Sequence, residues 1–353
     1  MREPGSEEHR NVPFRAAPPT MRDIAESLGV SRQLVSLVLR GAAGPSAESR
    51  DRVLAAAAEL GYRPNASARQ LRQQRTGLLG VAFSMSNPFQ SRVVERMIVR
   101  AAEKGFHVVP RPMAGEHPSE DAIAALLEER VEGIAVFNAD PAAPALADAR
   151  RRVPIVWLGE WVRDEDVDNV HVDEAAGLRA AIDHLVSLGH ERIGYVGGLG
   201  GFLGEDRAAA YRAAMEAVGL GDRVDVIESG FDEESGADAA RAVLARSDPP
   251  TALVCCGDQV ATAVLAVLAL AGVPVPGRIS VVGFDDSRLA GLSYHRLTSV
   301  RQDVERTVEA ALETLVERID GSETPRRRIA TPAELIVRSS TGPAPEGAVT
   351  APA

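Results

Sequence analysis

Residues 29–41 read GVSRQLVSLVLRG. A glycine, then a serine, then apolar residues three and four apart describe a tight turn feeding a short helix. Ser31 is a residue type that caps helix N-termini. Val35 and Val38 fall on one face with Leu34 beside them, while Arg32, Gln33, Ser36, Leu37 and Arg40 are left on the others, and Gly41 stops the helix. Upstream, Thr20 followed three residues later by Asp23 forms a capping-box pattern. That first helix has an Ile24, Ala25, Leu28 face and ends at Gly29. Downstream, Ser46 and Glu48 open a third helix that runs through Val53, Ala57 and Leu60 to Gly61. Two helices joined by GVS match the short glycine-containing turn of a helix-turn-helix. The second helix of such a unit lies in the major groove of DNA and presents its N-terminal residues to base edges. Arg32 and Gln33 stand there; Arg pairs bidentately with guanine and Gln with adenine. Thr20 and Ser31 mark the helix N-termini, where free backbone N–H groups favour a phosphate.

Charge supports a divided molecule. The 353 residues carry a net −11, yet residues 20–76 hold nine Arg against five acids, a net +4. Residues 1–19 balance, which leaves −15 for residues 77–353. A basic head on an acidic body implies that only the head approaches a polyanion. The segment 62–76, YRPNASARQLRQQRT, is polar and Arg-rich. Asn65 can cap a short helix from Ala66 to Leu71, too short and polar to be stable alone.

From Leu78 the pattern changes. LLGVAF, HVV, GIAVF, PIVWL, RIGYV, VDVI, TALVC and ISVVGF are short β-rich runs, separated mostly by helix-like stretches rich in Ala, Leu, Glu and Arg. Alternation of this kind means parallel sheets with crossover helices. Eight or more strands divide most naturally between two doubly wound lobes. The expected domains are a tail (1–19), a helix-turn-helix (20–63), a linker (64–76), a two-lobed body (77–342) and a second tail (343–353). Both tails read as disordered. Residues 1–19 lack the apolar centre of a secretory signal, and no apolar run reaches the length of a membrane helix, so a cytoplasmic protein is expected. The adjacent Cys255 and Cys256 sit in a strand-like run and read as small buried hydrophobes.

In open α/β sheets, ligands bind beyond the carboxyl ends of the strands. Ser84, Asn87 and Phe89 follow the first run, Asp140 the GIAVF run, and Glu160 the PIVWL run. Asp206 and Arg207 follow the glycine-rich GGLGGFLGE, Asp258 follows TALVCCG, and Asp285 and Asp286 close ISVVGFDD. Carboxylates, an amide, an arginine and an aromatic ring suit a polyhydroxylated ligand. The glycine-rich stretch lacks the Lys–Ser/Thr ending of a phosphate loop. No Ser–His–Asp order or metal spacing stands out, so neither catalysis nor a cofactor is expected.

TMRDIAESLGVSRQLVSLVLRG, followed by RVLAAAAELGYRPNASARQLRQQRTGLLGV, resembles the lactose-repressor (LacI) family of bacterial transcription regulators. SNPFQSRVVERM, HLVSLGHERIGYVGG, RAAAYRAAM, GDQVATAVL, ISVVGFDD, LTSVRQD and ELIVRSSTGP continue the likeness in order over residues 20–343. The resemblance implies a periplasmic-binding-protein-like (type I) body, a homodimer, a pseudo-palindromic operator in double-stranded DNA, and control by a small effector, a sugar or sugar-like metabolite, held between the lobes. It assigns DNA contacts to Thr20, Ser31, Arg32, Gln33, Ser36 and Leu37. In the linker it assigns Asn65 to a phosphate and places Ala68 and Leu71 on a hinge helix, with Leu71 as a minor-groove wedge at the dyad. It assigns effector contacts to Asn87, Phe89, Glu160, Arg207, Asp258 and Asp285. The chain departs from the family pattern at Leu34, Leu37 and Gly257, where Thr, Arg and Asn are usual, which implies a different base at Leu37 and an altered effector contact at Gly257. A transporter's solute-binding protein shares the body but needs an export signal and no DNA head; this chain has the reverse.

Overall fold

The computed structural model describes residues 19–62, 75–160, 162 and 166–345. The chain divides into two compact units between Arg75 and Thr76.

The first unit holds α1 (Met21–Leu28), α2 (Arg32–Leu39) and α3 (Ala47–Glu59). Their inner faces meet in a small core of Ile24, Ala25, Val35, Val38, Val53, Ala56 and Ala57. A core this small leans on its caps. The Thr20 amide donates to Asp23 Oδ2 at 2.6 Å, and Thr20 Oγ1 accepts from the amides of Arg22 (3.2 Å) and Asp23 (3.4 Å). Gly29 ends α1 at φ 63°, a left-handed conformation that favours glycine. Ser31 Oγ then accepts from the Leu34 amide at 3.2 Å. Leu60, expected inward, is 39 % exposed. It is the C-cap of α3, one position past the last full turn, and Ala56 and Ala57 take the inward places.

The second unit contains two six-stranded sheets. The first is built from β1 (Leu78–Phe83), β2 (His107–Pro112), β3 (Gly133–Phe137), β4 (Ile155–Gly159), β5 (Asp168–Val172) and β11 (Arg328–Thr331). Its order is β11-β5-β4-β3-β1-β2 and every pairing is parallel. The second is built from β6 (Ile193–Gly198), β7 (Asp225–Ser229), β8 (Ala252–Cys255), β9 (Ser280–Asp285), β10 (Thr298–Gln302) and β12 (Ala333–Ile336). Its order is β12-β10-β9-β8-β6-β7, parallel except where β12 runs against β10. The helices α4 (Pro88–Glu103), α5 (Pro118–Glu128), α6 (Pro144–Arg152), α7 (Glu174–Ser187), α8 (Gly201–Ala217), α9 (Glu233–Leu244), α10 (Asp258–Leu270) and α11 (Val304–Ile319) cover them. Strands β1, β3, β8 and β9 are buried almost throughout, as continuous apolar runs in two-sided parallel sheets must be.

The chain passes between the lobes three times, at Asp173, Asp303 and Pro332. The crossings run side by side: the Asp173 amide donates to Thr331 O at 2.9 Å and the Asp303 amide to Pro332 O at 3.4 Å. Helix α11 therefore follows a strand of the second sheet yet packs on α4 and the first. Cys255 and Cys256 are buried free thiols, and burial pushes both up. No helix among the described residues is long and apolar enough to cross a membrane.

Candidate functional site

In the head, the N-terminus of α2 forms the candidate nucleic-acid surface. Thr20, Ser31, Arg32 and Gln33 are exposed, and Ser36 and Leu37, one turn further along, are half-buried. Val35 and Val38 hold the opposite face in the core, so the outward residues are fixed in rotation. Asn65, Ala68 and Leu71 lie outside the described residues, as do most of residues 1–19 and 346–353.

In the body, the carboxyl end of each sheet carries its own set of polar side chains. On the first lobe, Gln90 Nε2 donates to Asn138 Oδ1 (3.2 Å) and Asn138 Nδ2 donates to Glu160 Oε2 (3.2 Å). Trp157 Nε1 donates to the other Glu160 oxygen at 3.0 Å. Burial pushes the Glu160 carboxyl up against these bonds, and the nearby charge of Asp206, from the other lobe, adds to the rise. On the second lobe, Arg207 is 4 % exposed. Its Nε and Nη2 donate to the two oxygens of Glu174, at 2.6 and 3.1 Å, and Nη1 donates to the Cys256 carbonyl. The guanidinium lies 3.9 Å from the centre of the Phe284 ring and 5.7 Å from that of Phe231.

Asp285 closes this arrangement. It ends β9 at φ 111°, followed by Asp286 at φ 44°. Two consecutive left-handed residues other than glycine are strained, and strain of this kind gathers at binding sites. One Asp285 oxygen accepts from Gln302 Nε2. Burial pushes its carboxyl up toward neutrality, opposed by the charge of Arg207. Arg92 of the first lobe reaches across to the Asp286 carbonyl (3.0 Å) and the Asp285 carbonyl (3.4 Å).

The expected effector residues separate into two groups. Glu160 of the first lobe feels the charge of Asp206 of the second, and Arg207 and Asp285 act on each other within the second. The others are placed differently. Phe89, expected to stack on a ligand, is 4 % exposed and sits edge-on to Phe137, 6.4 Å between centres, because it starts α4 with its side chain in the core. Asn87 spends its side chain capping that helix, accepting from the Gln90 amide at 3.0 Å. Asp258 is fully buried, with its oxygens taken at 2.6 Å each by the Ser287 amide and the Ser299 hydroxyl. A Cβ on Gly283 would lie 2.3 Å from Asp258 Oδ1, so glycine there makes room for this carboxylate. Asp140 accepts from the Ala142 amide, and Asp286 pairs with Arg301 and Arg338. Sequence reasoning missed Gln90, Asn138, Trp157, Glu174 and Phe231. Glu174 and Phe231 had a local sign, an acid at the first position of a helix and an aromatic just past a strand.

Comparison with known proteins is consistent across both units. Residues 20–65 match the model "Bacterial regulatory proteins, lacI family", and residues 182–341 match "Periplasmic binding protein-like domain". The regulator DegA of Bacillus subtilis is 30 % identical over 332 residues, covering 92 % of this chain and 98 % of its own. The lac repressor dimer bound to operator and the anti-inducer ONPF superposes with a TM-score of 0.80 at 28 % identity, over 92 % of this chain and all of that one. The transcriptional regulator CelR in complex with cellobiose gives 0.68 at 30 % identity, over 91 % and 99 %. With a capped three-helix head in front of a two-lobed parallel α/β body, and relatives matched almost end to end, the chain belongs to the LacI family of bacterial transcriptional regulators.

Proposed function

We propose that this regulator acts as a repressor, reading a pseudo-palindromic operator as a homodimer and releasing or gripping it according to a small polar effector, a sugar or sugar-like metabolite, held between its lobes. The observation that carries the reading is one chain joining an outward-facing Arg32 and Gln33 on a braced α2 to a body whose lobes carry hydrogen-bonded polar sets, Glu160 in the first and Arg207 with Asp285 in the second. Carboxylates accept from ligand hydroxyls, the arginine donates to ligand oxygens, and Phe231 beside Arg207 offers an apolar face. The domain limits proposed are 20–63 for the head, 64–76 for a hinge and 77–342 for the sensor. In the hinge Asn65 meets a phosphate, and Ala68 and Leu71 face the minor groove, Leu71 as the wedge. Such a wedge favours a flexible pyrimidine–purine step at the dyad. Thr20, Ser31, Ser36 and Leu37 complete the contact surface. Asn87, Phe89 and Asp258 complete the effector site, Asn87 and Phe89 at the start of α4 and Asp258 by accepting from the Ser287 amide two residues past Asp285.

Effector binding changes the angle between lobes joined by three crossings, which moves the first lobes of a dimer relative to each other. Coupling of this kind amounts to about 1–3 kcal/mol. The protein works in the cytoplasm, where its DNA is, uses no cofactor and catalyses no reaction. Footprinting on the region upstream of its own gene tests the reading. Protection of a near-palindrome, with affinity falling as salt rises and shifting when a sugar or sugar-like metabolite is added, supports it. No protected duplex with or without sugars overturns it.

A further inference from the structure

The turn that ends β9 is gripped from both lobes. Asp285 and Asp286 are consecutive left-handed residues, a strained arrangement that persists only while its surroundings hold it. Within the second lobe, the Asp286 amide donates to Ser299 Oγ at 3.0 Å, and the Asp286 carboxylate accepts from Arg301 at 2.9 Å and Arg338 at 2.6 Å. From the first lobe, Arg92 Nη1 donates to the Asp286 carbonyl at 3.0 Å and to the Asp285 carbonyl at 3.4 Å. A cation bonded to the carbonyls of a strained turn follows the path of the backbone, so a shift of either peptide is felt by the helix that carries it.

That helix is α4. Arg92, Arg96 and Arg100 lie four residues apart and share one stripe of it. Arg96 and Arg100 both pair with Glu305, two residues past the lobe crossing at Asp303. The stripe therefore follows the junction of the lobes. A groove of about 490 Å³ beside it is lined by Arg92, Arg96, Arg301 and Gln302. Gln302 is the residue that donates to the Asp285 carboxylate. The partners of the Asp285 side chain and of its carbonyl thus border one space, with room to reposition. In chain order α4 directly follows β1, the first strand after the division of the chain at Arg75.

We propose that Arg92 is a positioning residue that latches the first lobe to the Asp285–Asp286 turn of the second, so that a change at the Asp285 carboxylate shifts α4. The link to effector sensing rests on the reading of Asp285 as an effector contact; the latch itself is independent of that reading.

Hydrogen exchange of the full-length protein, read by mass spectrometry, tests the latch without an effector. Asp285→Asn removes the charge and keeps a residue type that tolerates positive φ. In the wild-type background it changes the exchange rates of α4 amides by about twofold or more, the fold-change that even weak coupling within one hydrogen-bond network gives. In Arg92→Met, which keeps the apolar stem and loses the guanidinium, the same substitution leaves α4 unchanged. In Arg92→Lys, whose ammonium still donates to a carbonyl, part of the response returns. A residue that only supported α4 would alter its exchange equally with Asp or Asn at position 285. An α4 response to Asp285→Asn that survives Arg92→Met overturns the proposal, and so does the lack of any response in the wild-type background. Should Asp285→Asn fail to fold, Gln302→Ala disturbs the same carboxylate from its other partner and is read in the same way. Exchange coupling through Arg92, with no sugar altering operator binding, would keep the latch and remove the carbohydrate reading. A sugar response without that coupling would do the reverse.

Discussion

Thr20 shows what a single side chain settles in so small a core. Its hydroxyl and amide exchange hydrogen bonds with Asp23, closing the first turn of α1. We predict that Thr20→Ala lowers the stability of the head by about 1 kcal/mol, read by chemical denaturation with a probe confined to the head. Arg32 tests recognition itself. Arg32→Ala should cost about 1–3 kcal/mol on the operator and relax preference at one base position, since a bidentate contact to guanine is worth that much. A uniform loss across all duplexes would reassign Arg32 to a phosphate. Leu71→Ala should weaken operator binding far more than binding to random duplex, because only a kinked site gains from the wedge; equal losses would remove the wedge. At Asp285 the side chain and the backbone answer to different partners. The carboxylate meets Gln302 and feels Arg207, while the carbonyl of the same strained residue accepts from the opposite lobe's Arg92.

Among the elements, β5 depends most on one partner set. Its first residue, Asp168, is fully buried and accepts from Arg318 Nε (2.8 Å) and Nη2 (2.9 Å), Arg326 Nη1 (3.0 Å) and the Arg327 amide (2.8 Å). Burial pushes this carboxyl up, but the donors outweigh it and leave it below the ordinary range. The cluster ties β5 to the end of α11 and to the chain leading into β11. Removing one partner from such a pair leaves the others buried and uncompensated. Asp168→Ala should destabilise the body by about 3–5 kcal/mol, measured by urea unfolding, while an isolated operator-binding head is untouched. The same cluster explains why β5 was illegible beforehand. DNVHV has neither an apolar run nor clean alternation; its burial is stabilised by arginines more than 140 residues downstream. Strands β10, β11 and β12 were missed for related reasons. Buried Thr298, Ser299 and Gln302 are satisfied by residues from other elements, and β11 and β12 are four-residue edge strands.

For the molecule as a whole, two buried acids of the second lobe set a pH dependence with a definite sign. Burial raises Asp258 and Asp285 in the folded state above their unfolded values. Each therefore contributes stability that is full below the ordinary carboxylate range and lost as pH rises toward neutrality. We predict that Asp285→Asn, which tolerates positive φ and keeps a polar side chain, gains stability relative to wild type as pH climbs through that window, read by urea unfolding at a series of pH values. The same variant should lose its effector response and keep operator binding, as measured by gel shift. A variant that no longer binds operator would place Asp285 in the fold instead. Ligand hydroxyls that donate to Asp285 favour its charged form, so effector binding should release protons near neutrality, visible as a buffer-dependent heat in calorimetry.

What the sequence determined by itself was everything carried by local pattern. Caps at Thr20, Ser31 and Ser46, the turn at Gly29, the apolar runs of β1, β3, β8 and β9 and the alternation of strand with helix all follow from forces between residues near one another in the chain, and they suffice for the family. The tertiary structure alone decided which partner each buried polar residue takes. Phe89 packs edge-on to Phe137 and Asp258 is taken up by Ser287 and Ser299, while Glu174, whose local sign is no more than an acid opening a helix, meets Arg207 thirty-three positions away. Such partners are brought together by sheet order and by three lobe crossings, and neither leaves a periodic trace in the chain.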